Sequence, residues 1–139
     1  ALKALAWPFE QRGSRSGAYN QSSKRVEIET FPNPAPHRNY TISHTTHEFT
    51  SVCPKTGQPD FATVELDYIA DQKCIELKSL KFYYQSFRNE GIFFEAVTNR
   101  MLEDLSAACE PRWMRITAKF GIRGGISSII VAETGPKPE

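Results

Sequence analysis

Cys53 is the residue in this 139-residue chain whose setting most suggests covalent chemistry. It closes a β-branched run and opens the loop CPKTGQPD, with Lys55 two residues on and Asp60 seven residues on. Pro54 favours an extended backbone at Cys53, which can hold the thiol away from a strand ladder. A free thiol titrates near ~8.5, so a neighbouring cation or base is needed to populate the thiolate. Lys55 is a candidate cation, and Asp60 could deliver or take a proton if the loop folds back. A buried, inert cysteine beside an ordinary turn carboxylate has the same spacing and is the commoner occurrence.

Three other clusters carry chemical potential. In ELKSLKFYY a helix would make Lys78 and Lys81 i, i+3 neighbours, with Glu76 and Ser79 on a second face. Paired ammonium groups suit a phosphate, although a solvated helix face is their usual meaning. Glu95 follows Phe93 and Phe94 at the start of a second helix, where a carboxylate can accept two hydrogen bonds from a guanine-like edge while a ring stacks on the base. An acidic residue there also serves the helix dipole. Arg123-Gly124-Gly125 could present a guanidinium and backbone N–H groups to an anion, or be a plain hairpin turn. His44 and His47 are three apart on a strand and point to opposite faces unless a bulge intervenes, so no zinc site is expected.

These residues need elements to hold them. Tyr40–Val52 is rich in Thr, aromatic and β-branched residues and reads as a strand. Phe61–Ala70 alternates, with Ala62, Val64, Leu66 and Tyr68 facing one way and Thr63, Glu65 and Asp67 the other. Leu77, Leu80, Tyr84 and Phe87 then recur at helical spacing, predicting a helix over Glu76–Phe87. A longer helix carries Phe93, Val97, Met101, Leu105 and Ala108 on one stripe and ends at Pro111. Trp113–Phe120 alternates again, Arg123-Gly124-Gly125 turns the chain, and Ile126–Ala132 is the last strand. The order is ββααββ, an α+β layer with two helices on one face of an antiparallel sheet. Its free edges invite pairing with another subunit, so a homo-oligomer is expected.

The remainder of the chain contributes less. Residues 1–24, rich in Gly, Ser, Gln and Arg from Glu10 onward, read as a mobile arm, with Trp7, Pro8 and Phe9 able to dock locally. Residues 25–139 read as one domain. FPNPAPHRN, from Phe31 to Asn39, carries three prolines and is expected to be irregular. Seventeen basic against sixteen acidic residues leave a net charge of +1, which argues against a protein living on nucleic-acid phosphates or an anionic membrane. No apolar run reaches the ~20 residues of a membrane helix, and Ala1–Arg15 has no apolar stretch of the secretory kind. Three scattered cysteines make neither a disulfide framework nor a CxxC pair. A cytosolic domain is expected.

Together, the run EFTSVCPKTGQPDFATVELDYIA, the helix ELKSLKFYYQSFRNEG and the pair Phe94-Glu95 resemble the NADPH-dependent 7-cyano-7-deazaguanine reductases of queuosine biosynthesis. These are single-module nitrile reductases of the tunnelling-fold superfamily, and the resemblance spans roughly Phe31 to Glu133. It implies that Cys53 is the nucleophile that forms a covalent thioimide with the nitrile, and that Asp60 is the acid that protonates the nitrile nitrogen. Two NADPH molecules would then take the nitrile carbon to a primary amine. The resemblance also implies that Glu95 anchors the 7-deazaguanine edge, that Lys78 and Lys81 meet NADPH phosphates, and that Arg123 is a further phosphate contact. Glu76 and Ser79 are expected to contact the substrate as well. Many members have a histidine where this chain has Phe94, which is expected to reach the substrate by stacking. The superfamily builds barrels from strands of adjacent subunits, and this subfamily is typically a decamer of two pentameric rings.

Three other readings stay in view. A relative that adds ammonia to the same nitrile would keep Cys53, Asp60 and Glu95 but has no use for the lysine signature. Zinc-dependent GTP cyclohydrolase I shares the architecture but needs a Cys and His metal set that this chain does not assemble. A non-catalytic purine-binding oligomer would keep Glu95 alone.

Overall fold

The alternation of residues 61–70 organises the fold, as described by a computed structural model over residues 26–139. The arm expected over residues 1–24, with Trp7, Pro8 and Phe9, lies outside the described residues. Eight elements follow in order: β1 (Thr30–Pro32), β2 (Thr41–Val52), β3 (Pro59–Ile69), β4 (Lys73–Ile75), α1 (Leu77–Gln85), α2 (Phe94–Cys109), β5 (Trp113–Arg123) and β6 (Ile126–Thr134). The main sheet is antiparallel in the order β2-β3-β5-β6, and β1 with β4 forms a separate two-stranded ribbon. β3 is central, and its inward Ala62, Val64, Leu66 and Tyr68 are between 0 and 5% exposed. On the opposite face its Glu65 and Asp67 pair with Lys119 and Arg115 of β5. One face is dry and the other carries charge, which is what period-2 patterning produces.

Both helices cover the apolar face. α2 lies over β5 and β6 and buries Val97, Met101, Leu105 and Cys109, while α1 lies against β2 with Leu80, Tyr83 and Tyr84 inward. The α2 stripe therefore ends on Cys109 rather than Ala108. Glu110, in a left-handed conformation at φ 48°, stops the helix one residue before Pro111. The expected start of α1 shifts as well. Glu76 is its N-cap, with its carboxylate accepting the N–H groups of Lys78 and Ser79 at 2.8 Å each. Leu77 is 58% exposed, and Tyr83 holds the place on the buried stripe expected for it. The first turn of α1 overhangs β2, so Leu77 borders an open groove rather than the core.

The small ribbon was not legible in the sequence. Phe31 and Pro32, expected to be irregular, pair with Cys74 and Lys73 as an edge, and three-residue strands carry no usable periodicity. β4 is anchored from below: the Ile75 N–H donates to the Tyr68 hydroxyl at 2.9 Å inside the core. Tyr68→Phe removes the only hydroxyl that β3 offers to β4 there and leaves a buried N–H without its acceptor. That substitution should cost about 1–3 kcal/mol, read as a lower urea midpoint with an unchanged m-value.

Candidate active site

Four chain segments end at one point. β2 delivers Cys53, β3 begins with Asp60 as its second residue, β5 ends on Arg123, and α2 starts with Phe94 and Glu95. Cys53, Pro54, Asp60, Ile92, Phe93, Phe94, Glu95 and Arg123 line a cleft of about 80 Å³.

Bulges bring the side chains to a common face. In β2 the inward residues are even-numbered up to Thr46, but Phe49 and Ser51 are the buried ones beyond it. The register runs Thr46 to Val64 and then Phe49 to Ala62, so His47 and Glu48 together oppose Thr63. One extra residue changes which face a strand presents. It puts Cys53 in phase with Phe49 and Ser51, on the core side. β3 has no such interruption, and its Asp60 stays in phase with Ala62 and Val64. The histidines are not united by this bulge. His44 packs beside Tyr68 on the core side, and His47 reaches Thr63 on the other face.

Beyond Cys53 the chain folds back tightly. The Cys53 N–H donates to the Gln58 carbonyl at 2.8 Å, and the Gly57 N–H donates to the Cys53 carbonyl at 2.9 Å. Gly57 sits at φ 76°, a conformation that glycine adopts freely. On its other side, Val52 exchanges backbone bonds with Glu90 and Ile92, each 3.0 Å, which ties the start of α2 to the end of β2. Phe94 is further held by Phe120 of β5, the rings stacking at 3.8 Å between centroids and 10° between planes.

The electrostatics favour a reactive thiol. Burial, at 6% exposure, would by itself raise the Cys53 pKa. Hydrogen bonding from the Thr56 hydroxyl and N–H, the Arg123 guanidinium and the Lys55 N–H outweighs it and brings the value down to about 7. The cationic side chain at the thiol is thus Arg123. Lys55, expected to be the cation, contributes its backbone N–H instead, because the turn aims successive amides at the sulfur. Asp60 is 4% exposed, and burial raises its pKa against the pull of Arg123. Its Oδ1 lies 3.3 Å from Arg123 Nε as an ion pair, without an aligned hydrogen-bond donor. The cleft therefore pairs an easily ionised thiol with a carboxyl group biased toward its protonated form.

The other sequence candidates lie apart. Lys81 lines a separate groove of about 340 Å³ between α1 and β2, with His44, Tyr84 and Arg88, while Lys78 is exposed at the start of α1. Glu76 is engaged as the helix cap, and the buried Ser79 hydroxyl accepts the Glu29 N–H at 2.9 Å. Neither lines the Cys53 cleft of its own chain. Glu95 is exposed at the rim. Among the described residues no three His, Cys, Asp or Glu side chains converge as metal ligands, and no helix is long and apolar enough to cross a membrane.

Comparison with known proteins points one way. Residues 59–139 match the family model described as QueF-like protein. The chain is 60% identical over 112 residues to the NADPH-dependent 7-cyano-7-deazaguanine reductase of Nitrosococcus oceani, covering 81% of this chain and 87% of that protein. It is 63% identical over 112 residues to the protein of the same name from Thiobacillus denitrificans, covering 81% of each. Among solved structures, the archaeosine synthase QueF-Like in the apo form is similar, with a TM-score of 0.66 at 28% identity over 70% of this chain and 96% of that one.

The thiol geometry has a direct readout. Iodoacetamide should label Cys53 ahead of the other two cysteines, with a rate that rises with pH through a midpoint near 7 as the thiolate forms. Cys109, its pKa pushed up to about 12 by burial, should stay unlabelled while the protein is folded. Peptide mass spectrometry across a pH series measures both.

Proposed function

The chain belongs to the QueF-like family, and on that premise we propose that it reduces the nitrile of 7-cyano-7-deazaguanine to the aminomethyl group with two NADPH. The observation that supports this most strongly is the single cleft holding Cys53, Asp60 and Arg123 with Glu95 at its rim. A nitrile is a poor hydride acceptor. Addition of the Cys53 thiolate forms an S–C bond and moves a π pair onto nitrogen, which takes a proton from Asp60 to give a neutral thioimide. The first hydride makes a tetrahedral carbon that expels the thiolate and leaves an imine. The second hydride and a further proton make the amine. The sum consumes one nitrile, two NADPH and two protons.

In this reading Glu95 accepts hydrogen bonds from the deazaguanine N–H edge. Leaving that carboxylate unmatched disfavours the wrong base. Phe94 supplies an apolar wall, fixed by its stack on Phe120, and carries no proton, so proton delivery to the reacting nitrogen falls to Asp60. Lys78, Lys81 and Arg123 meet the cofactor's phosphates. Glu76 keeps acceptor sites beyond its two cap bonds for a further substrate contact, and Ser79 stands behind it as support.

A cleft of about 80 Å³ takes the reacting end of a bicyclic base and little more, where ligand pockets usually measure about 300–1,000 Å³. We therefore read the site as closed by a second copy of the chain in a ring-shaped homo-oligomer, a decamer of two pentamers. The unpaired edges of β2 and β6 favour this, as do the exposed apolar Phe61, Ile122, Ile126, Ile129 and Val131. Closure also shields the imine from water. A free-thiol nucleophile and NADPH fit the reducing conditions of the cytoplasm.

The similarity to an archaeosine synthase favours one alternative, ammonia addition to the same nitrile. That reaction forms the Cys53 adduct without oxidising NADPH. Higher identity to the reductases and the retained Lys78 and Lys81 weigh against it.

With 7-cyano-7-deazaguanine, absorbance at 340 nm should report two NADPH oxidised per aminomethyl product. Cys53→Ala should abolish both the mass-detected adduct and turnover, and Asp60→Asn should slow adduct formation by about 10²–10⁴-fold. Turnover surviving in Cys53→Ala would refute the nucleophile assignment. Lys78→Ala and Lys81→Ala should raise the KM for NADPH while leaving the adduct rate alone, and unchanged cofactor dependence in both would remove the phosphate assignment.

A further inference from the structure

Arg123 arrives in the cleft by an irregularity of β5. Phe120 opposes Ser128 and Arg123 opposes Ile126, so Gly121 and Ile122 together face Ser127. Without that added residue Ile122 would share the face of Phe120 and Arg123 would point away. As built, Ile122 is 72% exposed, and Arg123 lies with Phe120 on the side of Cys53. The bulge adds nothing to the core, and its visible result is the direction of one guanidinium.

The surroundings make that guanidinium consequential. Facing the thiol are the Lys55 and Thr56 amides and the Thr56 hydroxyl from the loop, Asp60 from β3, Glu95 from α2 and Arg123 from β5. Of the charged side chains lining the cleft, two are carboxylates and Arg123 alone is cationic. Burial alone would hold the thiol protonated. Arg123 opposes this: it lines the cleft with Cys53 and pairs with Asp60 at 3.3 Å.

We propose that Arg123 is a catalytic residue of the addition step: its guanidinium holds Cys53 as the thiolate and receives the Asp60 carboxylate that the same step creates. This rests on the reading of Cys53 as nucleophile and Asp60 as acid. Before addition the guanidinium lies beside the sulfur, and burial biases Asp60 toward its protonated form. The S–C bond consumes the thiolate, and the nitrile nitrogen takes the Asp60 proton, leaving the negative charge on the carboxylate. The cation stays in place while the negative charge passes from the sulfur beside it to the carboxylate 3.3 Å away. Such pre-placed compensation requires no reorganisation during the reaction. Contact with a nucleotide phosphate is a different use of this side chain, and the two are separable.

The test is the pH dependence of Cys53 alkylation by iodoacetamide in the full chain, with neither nitrile nor nucleotide present. Arg123→Gln should move the midpoint upward from near 7 by a unit or more, toward the ~8.5 of a free thiol. Arg123→Lys should return part of that shift, since an ammonium supplies charge without the fork that spans both partners. Circular dichroism melts establish that each variant is folded, and if Arg123→Gln is not, Arg123→Lys carries the test with a smaller upward shift. A midpoint unchanged in the folded variants overturns the proposal, and a raised KM for NADPH alongside it would leave only the phosphate contact. Because alkylation needs no substrate, failure of the nitrile-reductase reading would appear separately, as absent turnover with the midpoint shift intact.

Discussion

A strand sends alternate side chains to opposite faces, and everything chemical in this protein depends on breaking that rule twice. β2 must bury Phe49 and Ser51 and then present Cys53 on the same side, although its first half buries even-numbered positions. β5 must bury Phe120 and then present Arg123, three residues later. Each strand absorbs one extra residue, and each does so next to the cleft. β3, running between them in regular register, supplies the fixed reference and Asp60. Three strands thus deliver a thiol, a carboxyl and a guanidinium to one spot, on a backbone held by the ladder on either side.

Packing around that spot sets the chemistry as much as the charged groups do. The stacked Phe94 and Phe120 rings fasten the start of α2 to the sheet, and the Val52 bonds to Glu90 and Ile92 fasten it to β2. With helix and strands locked together, Cys53 and Asp60 are nearly dry. Dryness alone would protonate both. The donors of the CPKT turn and Arg123 act selectively on the sulfur, so two acidic groups a short distance apart are pushed in opposite directions. A thiol brought down and a carboxyl brought up toward neutrality are suited to act as nucleophile and acid.

Much of this was legible beforehand, and the failures share a cause. The clean alternation of Phe61–Ala70 located β3, because one buried face enforces period 2, although the strand runs Pro59–Ile69 and takes in Pro59 and Asp60, which were expected in the loop. The stripe Val97, Met101 and Leu105 gave α2 for the equivalent reason. Cys53 and Asp60 stood out through residue type and loop chemistry. What periodicity could not show were features one to three residues long: the β1–β4 ribbon, the exposed Leu77 and both bulges. The bulge in β5 is why Arg123 looked like part of a turn. The turn proper is Gly124-Gly125, both at positive φ, which leaves Arg123 as the last residue of a strand that aims it inward. Lys55 was the nearer cation in sequence, but nearness along a tight turn brings the amide to the sulfur and not the ammonium.

The lowered thiol pKa also exposes the protein to a different chemistry. Peroxide attacks thiolates, so Cys53 is the group on this chain most open to oxidation at neutral pH. A sulfenic acid formed there is reversible when a second thiol can condense with it. Cys74 and Cys109 are buried elsewhere, and neither lines the cleft. With no resolving cysteine of its own at the site, the chain depends on an outside thiol to recover, and continued exposure carries Cys53 onward to sulfinic acid. The setting that readies the sulfur for an electrophilic carbon thus makes the working life of the site a function of the redox state around it.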